Sequence, residues 1–246
     1  MDFEHWPYPS RIAHRGAGLL APENTLAALR LGASFGYRMF EFDAKLAGDG
    51  AVVLMHDDTL ERTTDGRGRV AASSLAELAR LDAGAWHSAA YAGEGVPTLE
   101  RAAAWILANG LQANVEVKPC PGREEETGAA VALEAERLWR AAQLPPLLSS
   151  FSERALEAAR RAAPALPRAL LFESLPDDWL RRCRDLGCVA LVVQLQALDE
   201  ATITRAHAAR LRVLCYTVND PDRARELGRW GLDALITDAL DRIPGD

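Results

Sequence analysis

Residues 40–46 alternate in type. Phe40 and Phe42 fall on one face and Glu41 and Asp43 on the other, the two-residue period of a strand. Asp49-Gly50 is a hairpin signal, and the apolar run from Val52 to Met55 then carries His56 back toward the strand it left. Elsewhere, short apolar runs alternate with alanine- and leucine-rich runs of helical period. Strands are expected at residues 11–14, 39–46, 112–117, 147–150, 168–172, 189–194, 212–217 and 234–237. Helices are expected at 24–35, 98–108, 124–142, 153–163, 177–186, 199–209 and 221–230. Asn24 or Thr25 stands at the N-cap of the first helix, and Gly36 stops it. Eight strands interleaved with helices argue for parallel pairing, and the length favours a closed (β/α)8 TIM barrel over its rival, an open doubly wound sheet. One stretch breaks the rhythm. Residues 58–97 are too long for a simple connection and rich in Gly, Thr and Arg, with one short helix expected near 74–81. A loop of this length in a compact domain usually has a binding or lid role. The expected organisation is one barrel domain over residues 1–246, carrying an inserted subdomain at about 58–97 after the hairpin.

Composition narrows the function classes. The chain has 246 residues, 49% hydrophobic, which is enough for a sizeable core. A net charge of −7 argues against broad binding to nucleic acid. The first seven residues lack the basic and apolar regions of a signal peptide, and no apolar run reaches transmembrane length, so no stable membrane anchor is expected. Cys120, Cys183, Cys188 and Cys215 show no CxxC spacing; a reducing cytoplasm fits them better than a disulfide framework or a zinc site. Nothing in the sequence speaks to oligomeric state.

In a (β/α)8 barrel the chemistry lies at the C-terminal ends of the strands. His14 and Arg15 end the first strand, Glu41 and Asp43 lie near the end of the second, and Glu116 and Lys118 end the third, two apart and so on one face. The hairpin adds His56. Glu41, Asp43 and Glu116 are hard oxygen ligands suited to Mg²⁺ or Ca²⁺. Arg15 and Lys118 suit phosphate oxygens, and two histidines pass protons near neutral pH. A cation, two basic side chains and an acid/base pair together describe displacement at phosphorus.

His14-Arg15-Gly16, Pro22-Glu23-Asn24-Thr25, Glu41-Phe42-Asp43, His56-Asp57 and Asn114-Val115-Glu116-Val117-Lys118 resemble the signature of the glycerophosphodiester phosphodiesterase family, bacterial soluble type. Further matches lie in the insertion, at Thr59-Leu60-Glu61-Arg62-Thr63-Thr64, Asp82-Ala83-Gly84 with Trp86, and Gly93-Glu94-Gly95-Val96-Pro97-Thr98-Leu99. Others lie in the tail, at Thr217-Val218-Asn219 and residues 231–238. The ordered set is specific where any one triplet is weak, and it spans nearly the whole chain. The resemblance implies metal-dependent hydrolysis of glycerophosphodiesters, a small-molecule substrate, to sn-glycerol 3-phosphate and an alcohol. By matching position it implies His14 and His56 as the acid/base pair, Glu41, Asp43 and Glu116 on the metal, and Arg15 and Lys118 on the phosphate. It leaves open which histidine is the acid, and whether water or the neighbouring glycerol hydroxyl attacks. Two positions depart from the family pattern: Tyr216 where a Trp is common, and Ala239 where a Pro commonly follows Thr-Asp. Both bear on leaving-group preference rather than reaction class.

Plainer roles compete at several positions. Asp57 is expected to orient His56 rather than bind metal. Glu23-Asn24-Thr25 is expected to cap the first helix and brace the rim. Phe151 and Tyr216 are candidates to contact the glycerol moiety, with barrel-top packing the alternative for Phe151. Two other activities remain in view. One is lysophospholipase D-type cleavage of lysolipids, which needs an apolar rim; Trp86, Tyr91 and Val96 would supply a little of it, while Glu94 and the acidic balance argue against firm anchoring to anionic membranes. The other is a non-catalytic phosphate-binding barrel, which would be missing a carboxylate or a histidine.

Overall fold

The computed structural model describes residues 5–246. Among them, nine strands form one sheet. Eight run parallel and close on themselves: β1 (Arg11–Ala13), β2 (Met39–Leu46), β4 (Gln112–Val117), β5 (Leu147–Ser150), β6 (Arg168–Phe172), β7 (Ala190–Gln194), β8 (Arg212–Tyr216) and β9 (Ala234–Thr237). The pairing of β1 with both β2 and β9 closes the ring. The remaining strand, β3 (Val52–Leu54), lies antiparallel on the upper half of β2, with Lys45 opposite Val53, as the Asp49-Gly50 turn predicts. The expected TIM barrel is therefore present, with its hairpin. His14 lies outside the first strand: it opens a tight turn in which Arg15 takes a left-handed conformation, φ 47°.

Every residue of β2 is buried, because its two faces serve two cores. Phe40 and Phe42 face outward against α1 (Leu26–Ser34) and α3 (Leu99–Ala108), where Phe40 meets Trp105 edge to face at 6.2 Å. Each ring withdrawn from water contributes about 1.5–3 kcal/mol. The inward residues at the lower end of the barrel are apolar: Ile12, Met39, Leu147, Ala169, Val192, Leu214 and Ile236 plug the interior. Higher on the inward faces the side chains turn polar, with Glu41, Asp43, Asn114, Glu116 and Ser149 buried there. That change in polarity marks the mouth.

Local signals start the helices where the pattern expects them. Thr25, rather than Asn24, caps α1, its hydroxyl accepting from Ala28 N–H. Ser152 caps α5 (Glu153–Ala162) in the same way, and Asp220 with Pro221 begins α8 (Pro221–Arg229). The helix expected at 124–142 stops earlier, as α4 (Glu124–Leu138), and the one expected at 177–186 is α6 (Trp179–Asp185). α7 (Glu200–Ala208) matches its expectation closely.

The 58–97 stretch gathers an apolar cluster of its own. Met55, Leu60, Val70, Leu78, Ala83 and Val96 are buried together. The expected helix is one turn, α2 (Leu75–Leu78), held by a reciprocal Ser74–Glu77 capping box. The Asp82 carboxylate accepts from the N–H groups of Gly84, Ala85 and Gly93, which folds the loop back on itself. Lys45, fully buried at the top of β2, donates to Asp58 at 2.7 Å and ties the insertion to the barrel.

Candidate active site

Parallel pairing sets Asp43 beside Glu116 in one layer and Glu41 beside Asn114 in the layer below. Alternation turns all four side chains inward. One oxygen from each of Glu41, Asp43 and Glu116 lies within 4.8 Å of the others, and all three residues are buried. Burial and then the Asp43 charge push the Glu41 carboxyl up to about 8 and the Glu116 carboxyl up to about 7. Asp43 goes the other way: burial opposes its ionisation, but Arg15, Lys118 and His56 hold it below the usual range. Glu41 Oε1 is buried without a hydrogen-bond partner. Three buried carboxyls that repel one another, one with an unmatched oxygen, fit a hard divalent cation. Mg²⁺ and Ca²⁺ both satisfy that donor set.

Around this trio stand the other residues expected from the sequence. Asn24, itself in a left-handed conformation at φ 59°, grips Asp43 twice: its amide donates to Oδ2 at 2.8 Å and its oxygen accepts the Asp43 N–H at 3.0 Å. Arg15 donates its backbone N–H to Glu41 Oε2 at 2.9 Å, and its guanidinium meets Glu23 at 2.8 Å and Asp43 at 3.5 Å. Lys118 lies 2.8 Å from Glu116 Oε1 and 3.7 Å from Asp43 Oδ1. Arg62 fastens Glu23 and Asp57 together from the insertion side.

Each histidine has a carboxylate behind its Nδ1. His56 pairs with Asp57 at 2.7 Å, the partner expected from the sequence. His14 pairs with Asp238 at 2.6 Å, a partner that the sequence reading named only as part of a motif and gave no role. The sequence separation of 224 residues hides this pair, and closure of the barrel between β1 and β9 creates it. Asn219 fixes Asp238 by accepting its N–H at 2.8 Å. The environments drive the imidazoles apart. For His14, burial is outweighed by the Asp238 hydrogen bond and the Glu41 charge, which raise it; for His56, burial and the nearby Arg15 and Lys118 prevail over Asp43 and lower it.

Two clefts open on these residues. An inner one of about 210 Å³ is lined by His14, Arg15, Glu41, Asn114, Ser149, Glu173 and Tyr216. An outer trough of about 680 Å³ runs between the insertion and the loops after β4 and β5, past Lys45, Asp58, Pro119 and Glu124. His56, Glu116, Lys118 and Phe151 border both. Phe151 meets Tyr216 edge to face at 5.9 Å, with Lys118 Nζ 5.4 Å from the Phe151 ring centre. Trp86, Tyr91 and Val96 supply little apolar rim, as the sequence suggests. Val96 is buried in the insertion's own cluster and Tyr91 is half-buried, leaving Trp86 exposed.

The profile of the Glycerophosphoryl diester phosphodiesterase family matches residues 14–242. The chain belongs to that family. The family is generally dependent on a divalent cation, in keeping with the buried trio. The Bacillus subtilis protein YhdW is 32% identical over 242 residues, spanning 96% of either chain. A glycerophosphodiester phosphodiesterase of Caldanaerobacter subterraneus subsp. tengcongensis is 30% identical over 234 residues, spanning 92% of this chain and 93% of its own. Among solved structures, an Oleispira antarctica phosphodiesterase in complex with its product sn-glycerol-3-phosphate is 40% identical. It superposes with a TM-score of 0.89 over 94% of each chain. As a member of the glycerophosphoryl diester phosphodiesterase family, the chain is an enzyme, a phosphoric diester hydrolase acting on glycerophosphodiesters. The non-catalytic binding barrel is thereby set aside. No helix among the described residues is long and apolar enough to cross a membrane.

Proposed function

We propose that the chain hydrolyses small glycerophosphodiesters to sn-glycerol 3-phosphate and an alcohol, with a divalent cation held by Glu41, Asp43 and Glu116 and protons moved by His14 and His56. The observation that carries this reading is the approach of the three carboxylates to within 4.8 Å of one another, between two histidines that are each backed by a carboxylate. When bound, the cation supplies positive charge to the phosphoryl oxygens as a Lewis acid.

The chain's own groups do the rest. Arg15 and Lys118 neutralise the remaining charge on the phosphate, Arg15 with its fork held by Glu23 and Lys118 with its ammonium beside Glu116. Nδ1 of each histidine is engaged, so proton exchange falls to the two Nε2 atoms. One imidazole takes the proton of the attacking oxygen as its bond to phosphorus forms; the other donates a proton to the departing alkoxide as that P–O bond breaks. Asp57 and Asp238 hold the rings in place.

The inner cleft takes the glycerol phosphate end, against Phe151 and Tyr216, and the wider trough takes the alcohol. The product complex of the Oleispira antarctica relative supports a glycerol phosphate site in this fold. The 58–97 segment serves as an inserted subdomain of a single barrel domain, supplying the trough wall. With Val96 buried and Tyr91 half-buried, the insertion offers an acyl chain little apolar surface, and small water-soluble diesters suit the site better than lysolipids.

An assay coupled to glycerol 3-phosphate tests this. Chelation is expected to abolish product and Mg²⁺ or Ca²⁺ to restore it, while His14→Ala and His56→Ala each lower kcat by on the order of 10²–10⁴. Product formation indifferent to both chelator and histidines would overturn the reading.

A further inference from the structure

The two-residue period of the barrel strands continues into the mouth. On β6, Ala169 and Leu171 turn inward and belong to the apolar plug, so the same period sets Glu173 inward, one layer higher. Register carries Tyr216, at the end of β8, to the level of Glu173, and Phe151, two residues past the inward Ser149, to the level of Leu171 just below. Glu173, Phe151 and Tyr216 all line the 210 Å³ cleft. The other acids of the rim are engaged: Glu23 by Arg15 and Arg62, Asp57 by Arg62 and His56, Asp238 by His14. Glu173 is exposed and has no hydrogen-bond or ion-pair partner among the described residues. At the floor of the same cleft, the Asn114 amide and the Ser149 hydroxyl are fully buried and also lack a partner. The unmatched donors and acceptors call for a polar ligand in the cleft.

The chemistry of Glu173 narrows that ligand. An ionised carboxylate accepts hydrogen bonds and donates none, and it repels phosphate oxygens. Facing a phosphodiester, it therefore suits the substrate's uncharged hydroxyl donors. Its two oxygens match two vicinal hydroxyls, and the Phe151–Tyr216 pair beside it offers apolar surface to the carbon chain between them. We propose that Glu173 reads the vicinal hydroxyls of the glycerol moiety and so selects phosphodiesters of a fully deacylated polyol. This rests on the inner cleft taking the glycerol phosphate end. Acylation of one hydroxyl would remove a donor and press an apolar chain against the carboxylate, which makes lysolipids poor substrates.

The test uses the full-length, metal-loaded chain and Glu173→Ala, an exposed position whose loss should leave Tm unchanged. Glycerophosphocholine is the substrate; sn-glycerol 3-phosphate and propyl phosphate, which lacks both hydroxyls, are the competing inhibitors. Expected for Glu173→Ala is a fall in kcat/KM on the order of 10- to 100-fold, borne mainly by KM. The unaltered chain should bind sn-glycerol 3-phosphate more tightly than propyl phosphate, and Glu173→Ala should bind the two alike. A preference that persists in Glu173→Ala, or is missing from the unaltered chain, overturns the proposal. Absence of glycerophosphocholine turnover in the unaltered chain is a different failure: it removes the reading of the cleft, and this inference with it.

Discussion

At the scale of single residues, the two histidines differ in how their carboxylates reach them. Asp57 is the next residue after His56 and is readable as its partner; Asp238 reaches His14 only through the fold. Asp238→Asn keeps the size of the side chain but exchanges a carboxylate for an amide that no longer stabilises the charged ring. Its kcat should fall by at least about tenfold, while the cation concentration needed for half-activity stays put. Kinetics over a metal titration would show this, and an equal shift in both quantities would instead mean that Asp238 shapes the cation site. Lys45 makes a second asymmetric case. Its ammonium is buried while Asp58 is half exposed. Asp58→Ala strands the ammonium without its partner and should cost about 2–3 kcal/mol. Lys45→Met leaves a carboxylate that water can reach and should cost less than about 1 kcal/mol. Urea unfolding of both variants decides it.

Among elements, the second and third strands around the ring make the site most legible. The period of 40–46 and the spacing of Glu116 and Lys118 dictate which way side chains point, and parallel register brings Asp43 beside Glu116 without further information. Boundaries were less legible where a cap or a turn overrules periodicity: His14 leaves β1 for a turn, and α4 ends at Leu138 although the alanine-rich pattern runs on. Asn24 was readable as a cap, but its double grip on Asp43 depends on a left-handed backbone that composition does not announce. The period of β6 runs on to Glu173, but nothing in the sequence distinguishes that acid from others at strand–loop junctions.

The turn after β1 shows what such local geometry does for the site. Gly18 has φ +57°, and a Cβ there would lie 2.2 Å from the Asp238 Cα. Gly36 also has positive φ, +85°, with nothing within 4 Å. Gly36→Ala should therefore cost about 1 kcal/mol of stability and leave kcat intact. Gly18→Ala should cost about 2 kcal/mol or more and lower kcat as well, because Asp238 must move away from His14. Melting curves and initial rates on the two variants separate strain from displacement.

For the whole molecule, the buried trio links pH, cation and stability. Without a cation, Glu41 and Glu116 titrate near 8 and near 7 in the folded chain, against an ordinary value of 4.5. At these two carboxyls the folded chain binds more protons than the unfolded chain between about pH 4.5 and pH 8, so their contribution to metal-free stability falls as pH rises through that window. A bound cation takes the place of those protons. The gain in Tm on adding Mg²⁺ or Ca²⁺ should accordingly widen from about pH 5 to about pH 8. Thermal melts with and without chelator check it, and a gain that is flat or shrinks with pH would contradict the assignment of the trio.

The contact between His14 and Asp238 carries a last consequence. The two partners lie 224 residues apart in the chain, and they meet only where β9 slots in beside β1. The backing of one imidazole is therefore completed only when the ring closes, among the contacts of longest loop and slowest formation. Hydrolysis thus reports on closure: a substitution that loosens β9 from β1 should slow turnover through the lost His14–Asp238 contact, while the carboxylate trio keeps its own pairing on β2 and β4.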